Sequence, residues 1–471
     1  MRRMKGAAGL LTALLLAFQL SAQTFALASE DNGIEVVPVN FTHNGYSYEI
    51  EGVAKSTDGD YQIKSPARLA ARKLPSTYDP RSSGEITTVK DQASTGACWA
   101  FSALACAEQD LIKKGLENPS TEFSVPALVL SSNSGTATGK DDFSSGGNWL
   151  FAASALANGQ GLCYEDYEPF LESGTGNMIV SENKKSVSEY RLNYVMELSS
   201  TTQVKRKIME LGAVSASYFA GNGYMNHNNT AYYDPDASKN TIINHSVTVV
   251  GWDDNYSKDN FRYKPANNGA WLVKGSWGAD QDNDGFYWVS YDEAEFGQFC
   301  CYDFEESCDN TYHYSKMTGY VVNASNDGSV YGANVFTAKA DEKLDKAGFM
   351  YVGKTGSADY TLSVYTDVSD SDPIGVLETQ ISGSVSANGF YTVDFPEDIL
   401  LEEGEKYSIS VKFSGDSGRG YLLAESDRTS KAQSGQSYVS LNGKYWSDVG
   451  ADKTDSIGSL FIYACLLYTS P

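Results

Sequence analysis

The sequence predicts an α+β protein that continues into an all-β unit, on three observations. A run that opens at Cys98 sets Trp99, Phe101, Leu104, Ala105, Ala107, Leu111 and Ile112 at spacings that put one apolar face inward, and Lys113-Lys114-Gly115 supplies a basic last turn and a glycine stop. Thr241-Ile242-Ile243 and the run Ser246 to Trp252 flank His245 with β-branched residues suited to a strand in a barrel or sheet interior. Beyond Cys308 the pattern turns to period two with regular turn punctuation. A β-sandwich of about 150 residues should follow.

Along the chain, Arg2-Arg3-Met4-Lys5 is a basic start, Ala7 to Leu20 is apolar but too short to span and stay, and Ala26-Leu27-Ala28 offers small residues for cleavage. Residues 1–28 read as a signal peptide, which implies a secreted or cell-surface location with no stable membrane insertion after removal. Residues 29–73 are a short pro-segment or N-terminal extension, and Arg72-Lys73 is a candidate processing site. Two further units are expected at 74–308 and 309–471. Sixty acidic against 36 basic residues give a net charge of −24, which opposes binding to nucleic acid or to an anionic membrane through a general field.

Cys98 stands where chemistry is easiest. A thiol attacks as thiolate, and unpaired N–H groups at a helix N-terminus favour that negative charge. Gln92, six residues upstream, is placed to donate to a developing oxyanion. Cys106, on the same helix, lacks both the helix-end position and the upstream glutamine, so it reads as packing. Of the four histidines, His245 alone sits on an apolar strand; His43, His227 and His313 lie in polar or tyrosine-rich loop segments. A histidine on such a strand can be a satisfied core residue, but paired with an upstream thiol it is a general base.

Taken in order, these residues resemble the papain family of cysteine peptidases. Gln92 and Cys98 match its oxyanion glutamine and nucleophile, His245 its base, and Ser276-Trp277-Gly278 its Ser-Trp-Gly segment. Leu74 to Arg81 and Ile86 to Asp91 are similar to the start of a mature enzyme, and Phe143 to Trp149 resembles the stretch whose paired glycines let substrate backbone lie alongside. The resemblance implies a papain-like two-subdomain peptidase, with helices from about residue 98 to 195 and a β-rich, β-barrel half from about 205 to 301 and the active cleft between them, followed by an all-β sandwich domain. It implies a secreted cysteine endopeptidase in which Cys98 attacks the scissile carbonyl and His245 holds the thiolate and protonates the leaving amine. Gln92 and the Cys98 N–H would bind the oxyanion, Trp277 would shield the histidine, and Gly146 and Gly147 would admit substrate backbone. No metal or cofactor is implied. The partners are protein or peptide substrates.

Some positions depart from the family pattern. Its imidazole-orienting asparagine falls at Gly275, which has no side chain; Asn267 and Asn268 are candidate substitutes. The local disulfide positions are Thr95 and Ser144, and Cys163, Cys300, Cys301 and Cys308 have no assigned partners, although Cys301 with Cys308 could close a short loop. Asp253 to Asn260 reads as an inserted surface loop near the cleft rim. Asp280 to Gly285 mimics half of a calcium loop, but Tyr291 occupies the position that needs glutamate, and a turn is favoured. Trp149, Ser217, Ile243 and Ser246 are candidates to line an apolar specificity pocket.

In the C-terminal part, strands are expected over Ser329 to Ala340, Ala347 to Val352, Tyr360 to Val368, Gly389 to Phe395, Tyr407 to Phe413 and Gln436 to Ser440, with Asn442-Gly443 as a two-residue hairpin turn. This part is similar to the lectin-like domain of some bacterial relatives, so cell-surface glycans are possible partners by resemblance. Tyr445 and Trp446 could stack on sugar, though packing under the hairpin is the favoured reading. The chain ends at Pro471 inside what should be a last strand. Two other functions compete with the peptidase. One is a catalytically impaired scaffold acting as a surface carbohydrate- or protein-binding protein; the other is an amidase acting on cell-wall peptide.

Overall fold

The structure, a computed structural model, describes three short strands between residues 34 and 47 and most of residues 73–469, leaving out 133–142, 144–145, 160–161, 168–188, 222, 238–242, 280–281, 316–317, 325–327, 354, 370, 416–420, 427–431 and 452–456. The signal-peptide reading and nearly all of the pro-segment reading lie outside the described residues.

The helical half contains α1 (Cys98–Lys113), α2 (Val125–Ser132) and α3 (Trp149–Ala157). Here the expectation of a one-sided helix fails, because every residue of α1 from Trp99 to Leu111 is buried. The polar residues in that stretch include Glu108, which accepts from Thr87 Oγ1 at 2.6 Å and pairs with Lys90 at 3.3 Å and Lys274 at 3.8 Å. A charge taken inside is tolerable only with such partners, and these tie α1 to the strand that ends at Lys274. The helix stops as expected, with Gly115 in the left-handed region at φ 72°.

The second half comprises β1 (Tyr190–Leu198), α4 (Thr201–Leu211), β2 (Val214–Tyr218), β3 (His245–Asp253), β4 (Ala270–Lys274), β5 (Phe286–Ser290) and β6 (Gly297–Glu306). The expected division is inexact: 190–198 is strand and 201–211 is helix. Ser200 and Gln203 form a reciprocal capping box, which gives a local start signal for α4 that strand-rich surroundings conceal. The strands run β1-β6-β2-β3-β4-β5, all neighbours antiparallel, and Val204 and Ile208 of α4 pack with Val214, Val249, Trp252 and Val273.

The C-terminal part contains β7 (Val330–Thr337), β8 (Glu342–Tyr351), β9 (Ala358–Thr366), β10 (Val376–Val385), β11 (Gly389–Leu401), β12 (Lys406–Ser414), β13 (Ser437–Ser440) and β14 (Ile462–Tyr468). The six expected strands are all present. One sheet runs β10-β9-β12-β7-β13, and Phe349 and Tyr351 of β8 meet Phe413 of β12 at ring distances of 5.2 and 4.9 Å across the sandwich. Asn442-Gly443 lies in a wider turn between β13 and the bridge at Ser447–Asp448, not in a two-residue hairpin, because Asn442 Oδ1 accepts from the N–H groups of Lys444 and Tyr445 and extends the loop. Tyr445 is 81% exposed, whereas Trp446 packs with Ala333, Val335 and Tyr438.

The other sheet does not stop at the domain junction. Its order β14-β8-β11-β1-β6 joins sandwich strands to the second half, through Gly389 with Met196, Phe390 with Val195 and Tyr391 with Tyr194. A Cβ on Gly389 would lie 2.0 Å from the Val195 carbonyl oxygen, so glycine alone fits this crossing. Beside it, Asn388 Nδ2 donates to Glu197 at 3.0 Å. Cys308 is bonded to Cys465 of β14, not to Cys301, which is buried and free. A partner 157 residues away cannot be read from spacing. Among the described residues no helix is long and apolar enough to cross a membrane.

Candidate active site

Cys98 is the first residue of α1, and the cap residue, Ala97, offers no side chain to the free N–H groups of the first turn. Those groups turn to the sulfur instead. Dense surrounding protein pushes the thiol pKa up, while hydrogen bonds from the backbone and side chain of Ser246 and from the Trp99 and Cys98 N–H groups pull it down. Cys98 itself keeps partial exposure. Its helix is pressed on β3: Ser102 Oγ donates to the Val247 carbonyl at 2.7 Å. The fold thus brings the start of α1 to the start of β3, and Ser246 is the residue next to His245.

His245 is buried at 6% exposure, and burial pushes its imidazole pKa down to about 3. Trp277 lies flat on the ring, with centroids 4.3 Å apart and planes 6° apart, and remains 40% exposed as a cover. Nε2 of His245 is buried with no hydrogen-bond partner. Asn267 is engaged by Asp292 and Asn268 accepts from Lys258 N–H, so neither is placed on the imidazole.

Gln92 is held from three sides. Its N–H donates to the Ser276 carbonyl at 2.7 Å, Ser276 Oγ donates to its Oε1 at 2.6 Å, and its Nε2 donates to the Thr95 carbonyl at 2.8 Å. A carbonyl oxygen can only accept, so these contacts fix which end is the amide nitrogen and leave one Nε2–H for another acceptor. The Ser-Trp-Gly segment therefore serves both sides of the cleft floor, through Trp277 on the histidine and Ser276 on the glutamine. Sequence reasoning assigned no such role to Ser276, nor any contact between Ser246 and the thiol.

Gly146 has φ 74°, and a Cβ on Gly147 would lie 2.5 Å from the Trp99 indole. Both glycines are thus required by the fold around α1. Ser217 and Ser246 share a hydrogen bond at 3.0 Å, and Trp149 hydrogen-bonds Glu197, the same carboxyl that Asn388 reaches from the sandwich. Among the described residues no group of three or more His, Cys, Asp or Glu could hold a metal ion; Asp280 and Gln281 lie outside them.

A thiol at an open helix N-terminus, an imidazole covered by indole and an amide with one free N–H can together perform acyl transfer. Residues 74–327 match the model of the papain family of cysteine proteases. The chain belongs to the papain family. Residues 311–459 match a lectin-like domain. Cathepsin S of Bos taurus is 29% identical over 218 residues, covering 46% of this chain and 60% of the relative. Procathepsin L of Felis catus is 28% identical over 224 residues, covering 47% and 62%. The chain thus spans about three fifths of the curated relatives it matches. Two structures of the clostridial cysteine protease Cwp84 align over far more. One, solved after propeptide cleavage, has TM-score 0.73 at 27% identity over 83% of this chain and 99% of that one. The other, the protease and lectin-like domains of a surface layer associated protein of Clostridium difficile, has TM-score 0.72 at 26% identity over 84% and 90%.

Proposed function

We propose that this protein is a secreted or surface-associated cysteine endopeptidase that uses Cys98 as nucleophile and His245 as base. The observation that carries the reading is the hydrogen bond from Ser102 Oγ of α1 to the Val247 carbonyl of β3 at 2.7 Å, which supports bringing the strand end that holds His245 to the helix end that holds Cys98. In the forward step the Cys98 sulfur adds to the peptide carbonyl and the imidazolium gives its proton to the leaving amine. Water, deprotonated by the same imidazole, then releases the acyl group. The Gln92 amide and the Cys98 N–H stabilise the oxyanion of each tetrahedral intermediate. Gly146, Gly147 and Trp277 border the substrate.

Clostridial surface-layer association of Cwp84 supports an extracellular location and protein substrates, and the lectin-like match supports a glycan-binding role for the sandwich. The test is labelling with an epoxysuccinyl thiol inhibitor together with casein cleavage. Labelling at Cys98 with turnover is the expected result; a folded sample showing neither supports the binding-protein reading. That second reading has its own support in the unpartnered Nε2 and in Gly275, the position at which the Ser-Trp-Gly resemblance implies the family's orienting asparagine.

Ser276 bears on catalysis only through Gln92. Ser276→Ala should lower kcat/KM about 10-fold, the scale of losing an orienting partner, with labelling of Cys98 retained. Steady-state hydrolysis of a peptide amide by the purified variant checks this.

A further inference from the structure

Gly275 leaves a buried imidazole nitrogen without the side chain that would orient it, yet the space is not empty. A Cβ built on Gly275 would meet Cε1 of Tyr287 at 3.3 Å and the Gly285 carbonyl oxygen at 3.1 Å. Tyr287 is on β5, where it pairs with Val273 on β4, and it is 3% exposed. Its hydroxyl and that of Tyr218 are hydrogen-bonded at 2.9 Å, either one being the donor. Tyr218 is in turn the cross-strand neighbour of His245 and packs edge-on against its ring, with centroids 5.9 Å apart. Charge on Cys98 is felt at Tyr287. Gly275, the two phenols and His245 thus form one cluster, in which the phenols and the imidazole are buried.

We infer that Tyr287, braced by Tyr218, is the positioning residue for His245 in this chain, filling from β5 the role that a side chain at 275 would fill from just past the end of β4. The inference rests on the peptidase reading for its effect on turnover, though not for its effect on the imidazole. In the resting structure Nε2 makes no hydrogen bond. When the ring takes a second proton, a buried Nε2–H needs an acceptor, and a phenol oxygen can accept it while its own O–H donates a hydrogen bond to the next phenol. Catalytic hydrogen bonds that are long at rest commonly tighten once charge develops. The bulk of Tyr287 also explains why Gly275 is small: tyrosine and a 275 side chain compete for the same volume.

The full-length protein tests this through kcat, KM and the pH profile of Cys98 alkylation by a neutral haloacetamide. Tyr287→Phe should lower kcat about 10-fold at unchanged KM. It should also bring the alkaline end of the reactive plateau, where the imidazolium loses its proton, down by about one pH unit. Tyr218→Phe should shift both in the same direction and carries the test if Tyr287→Phe fails to fold. Gly275→Asn alone should gain nothing, because Tyr287 crowds it, whereas Gly275→Asn with Tyr287→Leu should restore the wild-type plateau. A Tyr287→Phe protein with wild-type kcat and plateau overturns the inference, as does a full gain from Gly275→Asn alone. Loss of the plateau shift is separable from loss of the peptidase reading: if no variant turns over substrate but Tyr287→Phe still moves the plateau, the positioning role stands and the endopeptidase proposal falls.

Discussion

Cys98→Ala should abolish casein cleavage, by at least about 10³-fold in kcat, and abolish inhibitor labelling, with the fold intact. The magnitude follows from what remains: without a nucleophile, the oxyanion donors and substrate contacts still bind the transition state but no acyl-enzyme forms. The side chain removed is small and partly exposed, so no large cavity opens and the melting temperature should change little. The matched control is Cys106→Ala. Cys106 is buried on the same helix and burial pushes its thiol well up, so that variant should keep turnover and lose some stability. Equal labelling in wild type and Cys98→Ala would place the reactive thiol elsewhere.

Gly389→Ala should damage stability more than any exposed substitution. The new Cβ would lie 2.0 Å from the Val195 carbonyl oxygen and 3.0 Å from Met196 Cα. Both are backbone, so relief requires the two sheet halves to part where Gly389 pairs with Met196. Overpacking of this kind costs about 1–3 kcal/mol when side chains can yield and more when they cannot. A loss of about 3 kcal/mol lowers the melting temperature by about 3 °C in a chain of this size. The damage also reaches the cleft. Asn388 Nδ2 donates to Glu197, whose carboxyl is likewise bonded by Trp149 at the start of α3. Burial holds the Glu197 pKa up, so this carboxyl depends on both donors. Differential scanning calorimetry with a peptide-hydrolysis assay checks both effects. An unchanged melting temperature would mean that the shared sheet does not hold the units together.

Much of this architecture is legible because its signals are local. The six expected C-terminal strands carry period-two patterns, and Cys98, His245 and the Ser-Trp-Gly segment each sit in distinctive surroundings. What was hidden depends on long-range partners. The Trp99–Leu111 stretch reads as one-sided because Glu108, Gln109 and Asp110 are polar; inside, Glu108 is paired with Lys90 and the distant Lys274, and Asp110 with Lys114. The Cys308–Cys465 bond, the continuous sheet through Gly389 and the phenol pair beside Gly275 likewise join residues far apart in sequence. Val376–Val385 escaped notice because exposed positions dominate it, leaving little apolar alternation to read.

The central claim is that His245 makes Cys98 a nucleophile, and the rate of Cys98 alkylation against pH tests it most directly. Burial alone pushes the thiol up and the imidazole down to about 3, which disfavours each charge separately. Two opposite charges about 4 Å apart attract by about 4 kcal/mol at an effective dielectric constant of about 20, which closes about three pH units of the separation that burial opens between the two groups. Wild type should therefore react faster than His245→Ala at pH 6, with a plateau extending to the alkaline loss of the imidazolium proton. His245→Ala removes the attraction and leaves the burial, so its reactivity should rise only at a pH above the ordinary cysteine range. Superimposable profiles for the two proteins would contradict the account.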